Sequence, residues 1–136
     1  MTAKAKGPKG KADLLYSRWI RSRGECEACA VGWEPMPKVS AGQLETSHII
    51  SRRYSATRVW TGDDETPCNA FAICSSHHQH FTLWPYQHAR FIESKIGVAG
   101  YDALKNKAES NPRPWRDEDW KAECERLTAL LAEVES

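Results

Sequence analysis

Apolar and polar positions follow two different periods along this chain. Trp120, Cys124, Leu127, Leu131 and Val134 recur at steps of four, three, four and three, which draws one apolar stripe along a C-terminal helix. Asp117 is placed to cap that helix, and acidic residues fill its first turn, where the helix dipole favours them. An earlier helix is expected from a cap at Asp13 to about Arg23, with Leu15 and Trp19 on one face and Gly24 as the stop. Pro85 suits the first turn of another helix, which carries Phe91, Ile92 and Ile96 and ends at Gly97. A short helix over residues 100–109 follows, and Asn111-Pro112-Arg113-Pro114 breaks the chain again. Two segments favour strands: residues 43–50, with β-branched residues near the end, and Asn69 to Ile73. A helix is expected from about Ser75. The stretch from Glu25 to Ala41 reads as a knuckle and loop, and residues 51–68 as irregular. No internal repeat is present.

Length and charge narrow the class. A chain of 136 residues suits one domain, and 40% hydrophobic with 27% charged residues is ordinary for a folded protein. It holds no apolar run long enough to span a membrane, and the Lys-rich start has no apolar segment of a secretory signal. The expected compartment is the cytoplasm. The formal net charge of +1 conceals an uneven spread. Residues 1–25 carry seven basic against two acidic groups, and residues 101–136 carry six against nine. Residues 1–12 are therefore expected to form a flexible basic arm, suited to a phosphate backbone or simply to solubility.

Five Cys and five His change the picture more. In a reducing compartment, clustered Cys and His point to metal rather than disulfides. Cys26-x2-Cys29 and Cys74-x2-His77 are two ligand pairs. Two residues of spacing in a tight turn aim both side chains at one ion, and two such pairs complete the tetrahedron that a structural Zn²⁺ prefers. Cys124 falls on the apolar stripe and reads as core. Cys68 is a less regular alternative ligand. Trp19 and Trp120 read as core, whereas Trp33, Trp60 and Trp84 stand in or near loops.

Laid over this frame are His48 in Ser47-His48-Ile49-Ile50-Ser51-Arg52-Arg53, Asn69 some twenty residues on, and His78 directly after the last zinc ligand. Together with Cys26-x2-Cys29, this arrangement resembles the HNH, or ββα-metal, endonucleases, and in particular small bacteriophage-encoded members. The resemblance covers about residues 25–95. It implies an α+β fold: a ββα-metal core with a Cys3His zinc site, flanked by an N-terminal helix and C-terminal helices. The nuclease domain would span residues 13–97 and a helical extension residues 98–136.

The resemblance also implies roles. His48 matches the general base that deprotonates the attacking water, which suits an imidazole. Asn69 matches the residue that braces the loop and orients the base. His78 matches a ligand of a catalytic divalent cation, Mg²⁺ or another, distinct from the zinc. Arg52, Arg53 and Arg58 are candidates to clamp DNA phosphates. The implied activity is metal-dependent hydrolysis of DNA phosphodiester bonds, nicking per subunit, with a place in phage DNA packaging or recombination. One departure stands out. The residue before the base is commonly Asp or His, a metal ligand, and here it is Ser47; Glu45, two residues back, is a substitute carboxylate. A zinc-stabilised DNA-binding accessory module without catalysis is the alternative.

Overall fold

Ala12, Tyr16 and Ile20 recur every four residues and form the buried stripe of helix α1, Gly7–Arg21. This computed structural model describes residues 7–38 and 43–136. Residues 1–6 of the expected arm and residues 39–41 of the expected loop lie outside the described residues. Helix α1 corrects two expectations. Residues 7–12 are helical rather than part of a flexible arm, and Asp13 is an interior helix residue rather than a cap. Pro8 sits in the first turn, where its missing N–H costs nothing. The helix runs under Leu15 and Trp19, which are half-buried beside the stripe.

A single turn, α2 (Glu27–Ala30), follows. Strand β1 is Leu44–His48, one turn of helix α3 is Ser55–Arg58, and strand β2 is Ala70–Cys74. Helix α4 (Ser75–Leu83) starts immediately after β2. Helix α5 spans Pro85–Ser110 but is interrupted at Gly97, whose φ of 71° is left-handed. The expected break there is thus a kink between two helical stretches rather than a loop. Last comes α6, Asp117–Glu135. Its N-cap is Arg116, one residue before the expected Asp117, and the Arg116 N–H donates to Asp119 Oδ2 at 2.9 Å.

The two strands pair antiparallel, with His48 opposite Ala70 and Leu44 opposite Cys74. Every residue of β2 is buried, because both faces of the small sheet are covered. Successive side chains of a strand point to opposite faces. Ala70 and Ala72 accordingly face one layer, made by Tyr16 and Ile20 of α1 with Trp120 and Leu127 of α6. Phe71 and Ile73 face the other, made by Cys26, Ala28, Phe81, Phe91 and Ile92. Small residues on one side let two helices approach closely. Large ones on the other fill the space over the knuckle. Each fully buried large apolar side chain here contributes about 1.5–3 kcal/mol. The stripe of α6 holds from Trp120 to Leu131, but Val134 is exposed, so the expected face stops one turn short. No helix is long and apolar enough to cross a membrane among the described residues.

Candidate metal centre and adjoining cleft

The expected ligand pairs meet. Cys26 and Cys74 each occupy the N-cap of a helix, and each sulfur accepts a backbone N–H three residues on, from Cys29 at 3.4 Å and His77 at 3.5 Å. This is what the two-residue spacing encodes: the turn that satisfies the helix start also brings the second ligand beside the first. His77 Nδ1 lies 3.7, 3.5 and 3.5 Å from the sulfurs of Cys26, Cys29 and Cys74, and the Cys29 and Cys74 sulfurs are 3.9 Å apart. All four ligand atoms fall within 4.8 Å of one another. A zinc tetrahedron with Zn–S of about 2.3 Å and Zn–N of about 2.0–2.1 Å has edges of about 3.6–3.8 Å. The cluster fits that ion.

Its surroundings suit a cation too. His77 Nε2 lies 2.7 Å from the Trp33 carbonyl oxygen, which can only accept, so Nε2 carries the proton and Nδ1 is left to ligate. Burial, then the neighbouring Cys26 and Cys74 sulfurs, push the Cys29 thiol up to about 12. Burial also raises Cys26, but the N–H groups aimed at its sulfur bring it below its ordinary value. A shared divalent cation resolves such crowding by binding the sulfurs as thiolates. Glu27, inside the first pair, was not singled out from the sequence. Its Oε2 accepts from the Ala72 N–H at 2.8 Å and from Arg23 Nη1 at 2.6 Å, which anchors the knuckle to β2. An acid four residues after Arg23 was the available signal. Cys68 is no ligand: its sulfur sits against Tyr16 Oη at 3.4 Å and Arg23 Nη2 at 3.3 Å. Cys124 is buried in the core, as its place on the stripe predicts.

Beyond the sheet lies a cleft of about 440 Å³, lined by Asp13, Tyr16, Ser17, Thr46, His48, Arg52 and His78. His48 and His78 thus border one space. His48 Nε2 is 3.0 Å from the Arg58 carbonyl oxygen, so this nitrogen is the protonated one and Nδ1 keeps its lone pair. The His48 pKa is held below its ordinary value, first by burial and then by the Arg52 and Arg58 charges, against the carbonyl bond and Asp13. Tyr16 lies beside it, ring centroids 5.7 Å apart.

Asn69 is fully buried. Its Oδ1 accepts from the Ile50 N–H at 2.8 Å, and its Nδ2 donates to the carbonyls of Ile50 at 3.1 Å and Thr57 at 2.9 Å. It therefore clamps the segment that carries both His48 and the Arg58 carbonyl. His78, in the first turn of α4, has Nδ1 2.7 Å from Glu45 Oε1. Ser47 is buried, turned to His88 Nε2 at 3.4 Å, and does not border the cleft.

The three arginines part company. Arg52 is exposed and borders the cleft. Arg53 is exposed and lies over the Tyr54 ring at 4.9 Å. Arg58 is committed elsewhere: its guanidinium binds both carboxylate oxygens of Asp13, at 2.8 and 2.6 Å, and the Arg52 carbonyl at 2.9 Å. These bonds join α3 to α1 and occupy the guanidinium that was a candidate phosphate clamp. Two further histidines, His80 and His88, are partly covered. His88 is half-buried and stacked on Phe81 at 5.3 Å, and His80 Nε2 is buried with no partner among the described residues. Trp33 packs edge-on to Phe91 at 5.3 Å and Trp60 is covered by Lys107 at 3.8 Å, while Trp84 is exposed. Asp13, Tyr16, Ser17 and Thr46 were missed as cleft residues. Thr46 had a signal, since it shares a strand face with His48; the α1 residues had none.

Fold and cluster define a mixed α+β protein, with a two-stranded antiparallel sheet and a Cys3His group able to bind a metal ion such as zinc. No family model, curated protein or solved structure matches the chain.

Proposed function

We propose that this protein is a metal-dependent DNA endonuclease of the ββα-metal (HNH) type, which hydrolyses phosphodiester bonds. The observation that carries the reading is the state of His48. It ends β1 as a neutral imidazole whose Nε2–H is anchored on the Arg58 carbonyl, which leaves Nδ1 free in a cleft it shares with His78. A base so held takes a proton from water at neutral pH. Asn69 fixes the loop that supplies that carbonyl. Two strands with α4 directly behind them bring His78 to the same cleft. A divalent cation bound there would polarise the phosphate and stabilise the leaving oxygen. His78 and Glu45 are the residues that would hold it, and Arg52 is placed to meet a phosphate. A place in phage DNA packaging or recombination belongs to the same reading and rests on the sequence resemblance.

The test is cleavage of supercoiled plasmid with Mg²⁺, Mn²⁺ or Ni²⁺, wild type against His48→Ala. Nicking by the wild type that drops by at least two orders of magnitude in the variant is the expected result. Equal cleavage by both after stringent purification sinks the reading.

One observation favours a second reading, a zinc-stabilised DNA-binding module. Ser47 stands where the family places a metal-ligating side chain, and it is turned away from the cleft. Salt-sensitive DNA binding with no cleavage in any metal would select that reading.

A further inference from the structure

We propose that Trp84 and Tyr86, at the corner between α4 and α5, form a stacking platform for the unpaired bases of single-stranded DNA. The proposal deepens the nuclease reading, because it names the kind of DNA that enters, and rests on it. Trp84 is the exposed one of the six tryptophans, with 51% of its surface open, and Tyr86 is 60% open. Neither ring joins a core cluster. Their centroids are 6.3 Å apart with the planes at 86°, so neither ring shields both faces of the other. Open aromatic faces of this kind mark recognition surfaces rather than core. The backbone, not the two side chains, holds the corner. The Trp84 N–H donates to the His80 carbonyl at 2.9 Å, and the Trp84 carbonyl accepts from the Gln87 and His88 N–H groups at 2.9 and 3.3 Å. Pro85 opens α5 with its φ already fixed. A platform held in this way loses little conformational freedom when a base stacks on it.

Charge decides what kind of partner fits. No Asp or Glu stands between Glu65 and Glu93, so all of α4 and the first two turns of α5 are free of acids. The exposed positions of α4 include Ser75, Ser76, Gln79 and Thr82, which are neutral hydrogen-bonding groups. Arg90, also exposed, follows Tyr86 by one turn on α5. The acid set against this path is Glu45, whose Oε1 is turned to His78 Nδ1. Aromatic faces on an acid-free surface match the alternation of base and phosphate along a single strand. In a duplex the base faces are already stacked on one another and offer the rings nothing. Distance ties the platform to the cleft. Trp84 follows His78 by six residues, about 9 Å along α4. That is roughly two to three stacked nucleotides at about 3.4 Å each.

The test is fluorescence anisotropy of a labelled oligothymidylate and of a duplex of equal length, each titrated with the zinc-loaded full chain and no other divalent cation. Trp84→Ala should weaken binding of the single strand roughly five- to hundredfold and leave the duplex within about twofold. Tyr86→Ala should act the same way to a smaller degree. Trp84→Phe, which keeps a ring, should recover most of the affinity. Melting temperature and zinc content are measured on each variant. Should Trp84→Ala melt lower than wild type, Tyr86→Ala carries the comparison. Single-strand affinity unchanged in both alanine variants, or an equal loss on the duplex, overturns the proposal. So does a wild type that binds no single strand, which leaves the corner to a protein partner. Plasmid cleavage is scored separately. Single-strand binding that depends on Trp84, in a protein that cuts no DNA in any metal, upholds the platform and sinks the nuclease reading. Cleavage that falls with His48→Ala, in a protein whose single-strand affinity ignores Trp84, does the reverse.

Discussion

Asn69 and Ile50 are bound to each other twice: the Ile50 N–H donates to Asn69 Oδ1 at 2.8 Å, and Asn69 Nδ2 donates to the Ile50 carbonyl at 3.1 Å. The pair continues the joining of the two segments past the end of β1 and the start of β2, beside the Ile49 N–H that donates to the Asn69 carbonyl at 2.9 Å. Asn69→Ala leaves the buried Ile50 N–H and carbonyl without partners and takes one of the bonds to the Thr57 carbonyl, which keeps the Trp60 N–H. It should cost about 2–4 kcal/mol, read as a lower urea midpoint with an unchanged slope. A loss under about 0.5 kcal/mol would contradict the brace.

Acid should switch His48 off. Burial depresses its pKa below the ordinary value of about 6.5. A depressed folded-state pKa means the unfolded chain takes up the proton first. Stability from the neutral form is therefore present above about 6.5 and declines as pH falls through and below that value. Any cleavage activity should be level at neutral pH, with its acid limb centred below 6.5. NMR titration of the imidazole gives the midpoint directly. A midpoint at or above 7 would mean that His48 is not held neutral as described.

Zinc should be part of the fold. Metal analysis should find one Zn²⁺ per chain, and a strong chelator or Cys26→Ser should lower the melting temperature by on the order of 10 °C or more. Cys68→Ser, outside the cluster, should leave the zinc content unchanged. Full melting stability after chelation would remove the cluster from the structural argument.

Arg58 and Asp13 tie α3 to α1 through two parallel hydrogen bonds, with both side chains largely covered. A double-mutant cycle with Arg58→Ala and Asp13→Ala should return a coupling of about 1–2 kcal/mol. Arg58→Lys should not restore it, since an ammonium lacks the planar fork. A coupling near zero would reduce the pair to ordinary surface charges.

Much of the frame was legible because it depends on near neighbours. The ligand spacing of Cys26-x2-Cys29 and Cys74-x2-His77 is a local property of a turn, and the turn formed in both places. The stripe of α6 and the break at Gly97 were visible for the same reason. The start of α1 was not. Lys, Gly and Ala in residues 7–12 carry no pattern of their own, and the helix extends through them because Ala12 and Pro8 pack against α6. Arg58 read as a free cation because nothing nearby in the chain opposes it. Its partner lies forty-five residues away.

The sequence by itself determined which atoms are available: two spaced ligand pairs, an imidazole at a strand end, an amide able both to donate and to accept, and a serine before that imidazole. Only the tertiary structure decided what each faces. It closed four ligand atoms into one cluster, turned Ser47 inward to His88, brought Glu45 to His78, and joined α1 to β1 across the cleft. The reason is the range of the forces. Turn chemistry and side-chain periodicity act over a few residues. The direction of a side chain at a site is set by packing between elements far apart in the chain, and no local pattern encodes it.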